Sequence, residues 1–259
     1  MKYETILYDI NDGVARITIN QADNMNRLSN TVLKEIVHAA RSADKDNNAK
    51  VLIISGAGEK AFCAGADLKG VEHDSVLKSK ENLEDYAELC LTFNALKTPS
   101  IAMIRGYALA GGCGLAMLPT FSIASENAKF GTPEINVGMW PMMVMAILFR
   151  TVGKKKGLEL ICSGDMIDAH EAEKIGMITK VVPDQQLESD VTELANKLKT
   201  KSSSILGLGL EAFHNVGDME FNKAIAYLRD MAVILTNTPD SMEGTKAFVE
   251  KRKPIWKNS

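Results

Sequence analysis

The run from Ile101 to Pro141, IAMIRGYALAGGCGLAMLPTFSIASENAKFGTPEINVGMWP, constrains the fold more than any other part of the chain. Ile101 to Ile104 is a short apolar run between Pro99 and Arg105-Gly106, the pattern of a buried strand that stops at a turn. Gly111 and Gly112 then precede an LAML run whose apolar spacing suits a buried helix. Glycines at a helix entrance let a ligand approach the backbone, and the first N–H groups of a helix have no intrahelical partner. With the positive end of the helix dipole behind them, such groups suit a developing negative charge. One more strand-like segment, TFSIAS, leads to Thr132-Pro133-Glu134-Ile135. A helix-end anion site followed by a single acid reads as the floor of an active site.

The 259 residues allow one large α/β unit or a main unit with a smaller appendage. A net charge of -3 supplies no broad basic field, which argues against nucleic acid or an anionic membrane as the main partner. Cys63, Cys90, Cys113 and Cys162 are widely spaced, with no CxxC pair and no nearby histidine at a zinc-ligand interval. They suit a reduced, cytoplasmic setting. MKYETILYDINDG is charged and alternating, unlike a targeting peptide, and no apolar run approaches the roughly 20 residues of a membrane helix.

Tyr3 to Ile10 and Val14 to Ile19 alternate around Asn11-Asp12-Gly13 and predict a hairpin. Ser29 or Asn30 can cap a helix carrying Val32, Leu33, Ile36, Val37 and Ala40, and Val51 to Ile54 reads as a buried parallel strand. Ser55-Gly56-Ala57-Gly58 imitates a dinucleotide fingerprint. It lacks the helix that must follow the glycines and the acid at the end of a second strand, so it reads as a loop. Val71 to Ser79 reads as a further loop, and Glu81 to Leu96 as a helix with Leu83, Tyr86, Leu89, Phe93 and Leu96 on one face. Helices are predicted over Met143 to Phe149, Lys156 to Cys162 and Ala169 to Ile175, the last capped by Asp168, with a final strand over Met177 to Val182. Beyond a boundary near Pro183 only helical periods remain: Leu187 to Lys199, Ile205 to Asn215, Met219 to Leu235 and Ser241 to Lys253. Ile225, Leu228, Met231, Ile234 and Leu235 give these tail helices an apolar face that can dock on this chain or on another subunit.

FCAGADLK, GYALAGGCGLAM, FGTPEINVG and the terminal FVEKRKP occur in an order that resembles the crotonase superfamily, the enoyl-CoA hydratases and isomerases. The likeness covers nearly the whole chain. It implies an α/β fold, a crotonase-like spiral of ββα units over residues 1–183, and a C-terminal helical trimerisation region over 184–259 that completes the CoA site. It further implies an acyl-CoA thioester as substrate, no cofactor apart from the coenzyme A of that substrate, no metal, and a homotrimer or a homohexamer built as a dimer of trimers. By the same resemblance the backbone N–H groups of Ala66 and Gly111 form an oxyanion hole and Glu134 is the catalytic acid-base. Ala64, Asp67, Leu68, Lys69, Gly114, Trp140, Met142, Phe248 and Lys251 are the substrate-binding candidates, the last two reaching a neighbouring subunit's nucleotide.

The chain departs from the family pattern in three places. Family hydratases carry glutamates at the positions of Gly114 and Glu134, and here only Glu134 is present. Hydration needs a water activated while another proton is delivered, which two carboxylates do best. Moving a double bond from C3 to C2 needs one shuttling base, so glycine at 114 favours Δ3,Δ2-enoyl-CoA isomerisation. Met142-Met143 stands where a glycine-rich turn is usual, and QADNMNRLS lacks the proline and basic residue that usually precede its Asn-Met-Asn triplet.

Each feature also has a plainer explanation. Glu134 can be a helix-entrance acid and Gly111-Gly112 a packing turn. Trp140, Met142, Met143 and Met145 suit a core as well as an acyl pocket, and Asp67 can be a helix cap. Cys63 and Cys113 serve as small buried side chains, and Lys251 to Lys253 compensates a helix dipole. The competing functions are a 2-enoyl-CoA hydratase with an atypical site, decarboxylation or hydrolysis of an acyl-CoA, and a non-catalytic acyl-CoA or RNA binder.

Overall fold

The computed structural model describes residues 2–66 and 76–258. β1 (Ile6–Asn11) and β2 (Val14–Ile19) form the expected hairpin. Asp12 and Gly13 between them both have positive φ, 47° and 77°, which matches the twist of a two-residue hairpin loop. α1 (Asn30–Lys45) starts on Ser29, whose side chain accepts the Val32 amide, and β3 (Val51–Gly56) follows. Next come β4 (Ala61–Cys63), α2 (Val76–Ala95), β5 (Ser100–Ile104), β6 (Tyr107–Leu109), α3 (Gly111–Met117), β7 (Phe121–Ser125) and β8 (Lys129–Gly131). A 3-10 turn over Pro133–Val137 leads into α4 (Met142–Thr151), α5 (Lys154–Ser163), β9 (Met166–Asp168), α6 (Ala169–Lys174) and β10 (Lys180–Val182). The chain then stays helical through α7 (Leu187–Lys199), α8 (Ser203–Val216), α9 (Phe221–Thr236) and α10 (Pro239–Val249).

The strands divide between two sheets. One has the order β1-β2-β3-β5-β7-β10, parallel beyond the first hairpin, and the other β4-β6-β8-β9, with only β9 antiparallel. Thus β3 and β4, β5 and β6, and β7 and β8 are pairs whose members pass to different sheets before a helix returns, which is the spiral of ββα units. β3 is buried on both faces. Leu52 and Ile54 enter the main core, while Val51 and Ile53 join Ile101, Ile123 and Val182 beneath Leu187, Val191 and Ala195 of α7. Each such fully buried aliphatic side chain contributes about 1.5–3 kcal/mol relative to exposure.

Several boundaries differ from the sequence reading. β4, β6 and β9 were not anticipated: three residues are too few to show alternation. α2 begins at Val76, inside the span expected as loop; residues 71–75 of that span lie outside the described residues. Leu83 is 58 % exposed despite its place in the apolar stripe. The last strand shortens to Lys180–Val182, and α10 stops at Val249, four residues before the expected end at Lys253.

Glu35 lies among the apolar residues of α1 and is 2 % exposed. It accepts the amides of Glu4 (2.8 Å) and Thr5 (2.9 Å) and the Thr5 hydroxyl (2.6 Å), tying the chain's start to the helix. Burial alone raises its pKa; these donors bring it below the ordinary glutamate value.

Candidate active site

Two loops and one 3-10 turn converge where α3 begins. The helix starts at the glycines themselves rather than after them. Its cap, Ala110, has φ 52° and ψ -127°, a conformation that costs a residue with a Cβ about 1–3 kcal/mol. Surrounding bonds enforce it: the Ala110 amide donates to Gly131 O (2.9 Å), and Ala110 O accepts the amides of Cys113 (2.9 Å) and Gly114 (3.2 Å). Gly111 is the first helical residue, so its N–H has no intrahelical acceptor. A Cβ on Gly112 would lie 2.1 Å from Cys63 O, so only glycine lets α3 press this closely on β4.

The second loop leaves β4. Ala64 donates its amide to Met25 O (3.0 Å), Gly65 O accepts the Leu28 amide (2.8 Å), and Ala66 pairs with Leu28 in an isolated parallel bridge. Gly65 has φ +88°, and a Cβ there would stand 2.7 Å from the Ala110 Cβ and 3.3 Å from the Gly111 nitrogen. The loop before α1 is fixed by Asn26, fully buried, whose Nδ2 donates to Ala57 O (2.9 Å) and Ala61 O (2.7 Å) while Oδ1 accepts the Gln21 amide (3.0 Å). The sequence reading gave Asn26 no role. Its place between turn residues was the available signal.

Glu134 sits on the 3-10 turn that follows β8. Its Oε2 is buried and has no hydrogen-bond partner among the described residues, and the neighbouring Thr132 Oγ1 is in the same state. Burial raises the Glu134 carboxyl above its ordinary value, with its own backbone amide pulling the other way. The Glu134 charge in turn contributes to raising the Tyr86 phenol and the Cys113 thiol, for both of which burial is the larger cause. Burial pushes the Cys63 and Cys113 thiols to about 12 each, which leaves them protonated near neutrality and unsuited to nucleophilic work.

Ala64, Ala66, Gly111, Gly114 and Glu134 are therefore brought together. Asp67, Leu68 and Lys69 lie outside the described residues. Trp140 is half-buried against the main core, with Nε1 3.4 Å from Met145 Sδ, and Met143 and Met145 pack there too; Met142 is 66 % exposed. Phe248, the penultimate residue of α10, is 85 % exposed, and Lys251 beyond it has a left-handed conformation. Tyr86, which the sequence reading treated only as a core position, reaches α3 and donates its hydroxyl to Gly111 O at 2.9 Å. Among the described residues no group of three or more His, Cys, Asp or Glu is placed to hold a metal, and no helix is long and apolar enough to cross a membrane. Chemically, the arrangement offers backbone donors to an anion beside one partly desolvated carboxylate able to move a proton.

Comparison with known proteins agrees with this geometry. The sequence profile for enoyl-CoA hydratase/isomerase matches residues 9–259. A probable enoyl-CoA hydratase of Mycobacterium tuberculosis is 36% identical over 255 residues, covering 98% of each chain. The crotonyl-CoA hydratase of Syntrophomonas wolfei is 34% identical over 254 residues, again covering 98% of both. The crystal structure of an enoyl-CoA hydratase from Bacillus anthracis superposes with a TM-score of 0.93 at 31% identity, over 99% of this chain and 100% of that one. With its paired-strand spiral, its helical tail and this match along nearly its full length, the chain belongs to the enoyl-CoA hydratase/isomerase family.

Proposed function

We propose that the protein transforms an acyl-CoA thioester by stabilising its enolate, and that its favoured reaction is Δ3,Δ2-enoyl-CoA isomerisation. One observation carries this reading: among the described residues of the site the carboxylate is that of Glu134, half-buried with an unpartnered oxygen and a raised pKa, while the position of a second is Gly114. Glu134 takes a proton from C2, leaving the pair of electrons delocalised onto the thioester oxygen. It then returns the proton to C4 as the double bond forms between C2 and C3. The amides of Ala66 and Gly111 hold the oxygen; removal of one such donor typically costs about 2.7–4 kcal/mol. Coenzyme A enters as part of the substrate, its contacts coming from Lys69 and, in an assembled trimer or hexamer, from Phe248 and Lys251 of a neighbouring copy. Residues 1–183 supply the chemistry and 184–259 the assembly, in a cytoplasmic setting suited to the four free cysteines.

The names of the relatives favour a second reading, hydration of a 2-enoyl-CoA with Glu134 alone directing the water. Side-by-side assays of 3-enoyl-CoA isomerisation and 2-enoyl-CoA hydration on one preparation decide between them. The single-carboxylate reading expects the first to exceed the second, and Glu134→Gln to abolish turnover while acyl-CoA still binds. Unchanged turnover in that variant would overturn the assignment.

A further inference from the structure

The absence of a side chain at Gly114 leaves no free space. α2 brings Tyr86 across the start of α3, with Cε2 3.1 Å from where a Cβ on Gly111 would be. The hydroxyl oxygen stands 2.2 Å from the Cβ position of Gly114, with Val144 Cγ2 at 3.2 Å and Ile147 Cδ1 at 3.5 Å closing the other sides. The ring is only 8 % exposed, and the hydroxyl proton is donated to the Gly111 carbonyl.

We propose that Tyr86 is a specificity-determining and positioning residue of this site: its phenol takes the space of a second acid-base side chain at 114, and its hydrogen bond holds the first turn of α3. The inference rests on the single-carboxylate reading above and deepens it. A buried water needs about 10–15 Å³ of probe volume and two to four polar partners. Among the described residues, the atoms nearest a Cβ at 114 are the phenol oxygen, whose proton goes to Gly111 O, and the methyl groups of Val144 and Ile147, a lining poor in partners for a nucleophilic water. Nor is Tyr86 a substitute base. Burial, aided by Cys90, Cys63, Cys113 and Glu134, holds the phenol well above its ordinary value, so it stays protonated, and its one proton is engaged. Proton movement is thereby left to Glu134.

A double-mutant cycle tests this, using Gly114→Glu, Tyr86→Phe and the pair. Thermal unfolding and 2-enoyl-CoA hydration are read for all four proteins, with kcat and KM for 3-enoyl-CoA isomerisation. Gly114→Glu alone is expected to lower the melting temperature by several degrees and to add no hydration. With Tyr86→Phe also present, much of that loss is recovered and hydration rises by about 10²-fold, the lower end of a restored general acid-base. Tyr86→Phe alone lowers kcat with KM nearly unchanged, which a purely structural role would not do. Additive melting shifts, or hydration gained equally with either residue at 86, would overturn the role of Tyr86. A wild-type protein that isomerises no 3-enoyl-CoA defeats the proposed reaction instead, and the melting cycle still reads the Tyr86–Gly114 contact by itself.

Discussion

Gly65 and Ala110 meet back to back: a Cβ on Gly65 would lie 2.7 Å from the Ala110 Cβ and 2.9 Å from Leu109 O. The contact ties the loop carrying Ala66 to the entrance of the helix carrying Gly111, so the two amides keep a fixed separation. Gly65→Ala strains this tie twice. The φ of +88° costs a residue with a Cβ about 1–2 kcal/mol. The opposing oxygen belongs to the backbone and cannot rotate aside. A lowered melting temperature is expected, together with a loss of about 10²–10³ in kcat if one donor is displaced. Thermal unfolding and steady-state kinetics on one thioester check this, and full turnover in a destabilised variant would detach the two loops from each other.

The raised pKa of Glu134 sets two signs. Because burial raises the folded value above the unfolded one, the folded state binds the extra proton. This contribution to stability is present at low pH and fades as pH rises through the folded pKa. Above that pH Glu134→Gln is expected to unfold at a higher temperature than the wild type, having shed a carboxylate with an unpartnered buried oxygen. Turnover follows the opposite slope, since only the deprotonated form abstracts a proton. The acid limb of kcat/KM should accordingly fall above 4.5, the ordinary glutamate value. A pH profile flat through that region would remove Glu134 as the base.

The main sheet was legible because Val51 to Ile54 and Ile101 to Ile104 are apolar on both faces, and the tail because Leu187 to Lys199 repeats with a helical period over its whole length. The second sheet was not. Its three-residue strands are defined by what they pair with, as Tyr107 with Lys129 and Ala108 with Phe130, and a sequence window does not contain the partner. The glycines of α3 and the acid of the 3-10 turn were visible as motifs, and the fold brings them together. Tyr86 was visible as an apolar-stripe residue alone. That its hydroxyl reaches Gly111 and Gly114 depends on how α2 lies across α3, which is a property of packing between elements distant in sequence.

Asp240 offers a test remote from the site. Fully buried near the start of α10, it accepts the hydroxyls of Ser202 (2.5 Å) and Ser204 (3.2 Å) and the amides of Lys257 (2.6 Å) and Asn258 (3.1 Å), holding the C-terminal segment against α8. Burial pushes its pKa up, yet these four donors bring it below the ordinary aspartate value. Its contribution is thus present above the unfolded pKa and lost as pH falls through the depressed folded one. Asp240→Asn replaces an acceptor by a donor facing donors and is expected to cost about 1–3 kcal/mol near neutrality. The difference from wild type should shrink in acid. An unfolding series by pH checks both statements, and a gap that widened as pH fell would contradict them.

α9 bears on assembly, since none of its residues is buried in a single chain. Phe221 (72 % exposed), Ile225 (52 %), Val233 (59 %) and Ile234 (54 %) present apolar surface to solvent, and Leu228 is exposed as well. Exposed apolar area costs about 25 cal/mol per Å² relative to burial, so a face of this extent favours a matching surface on another copy. The proposed trimer or hexamer places it there. Ile225→Asp sets a charge on that face without touching a core position, so the chain should still fold while its association weakens. Sedimentation across a concentration series is the measurement: wild type is expected well above the 28.2 kDa of one chain, and the variant shifted toward that mass. Because Phe248 and Lys251 are proposed to serve a neighbour's nucleotide, the variant's KM for acyl-CoA should rise as it dissociates. A wild type that sediments as one chain at every concentration, with the same KM as the variant, would place the whole site within a single subunit.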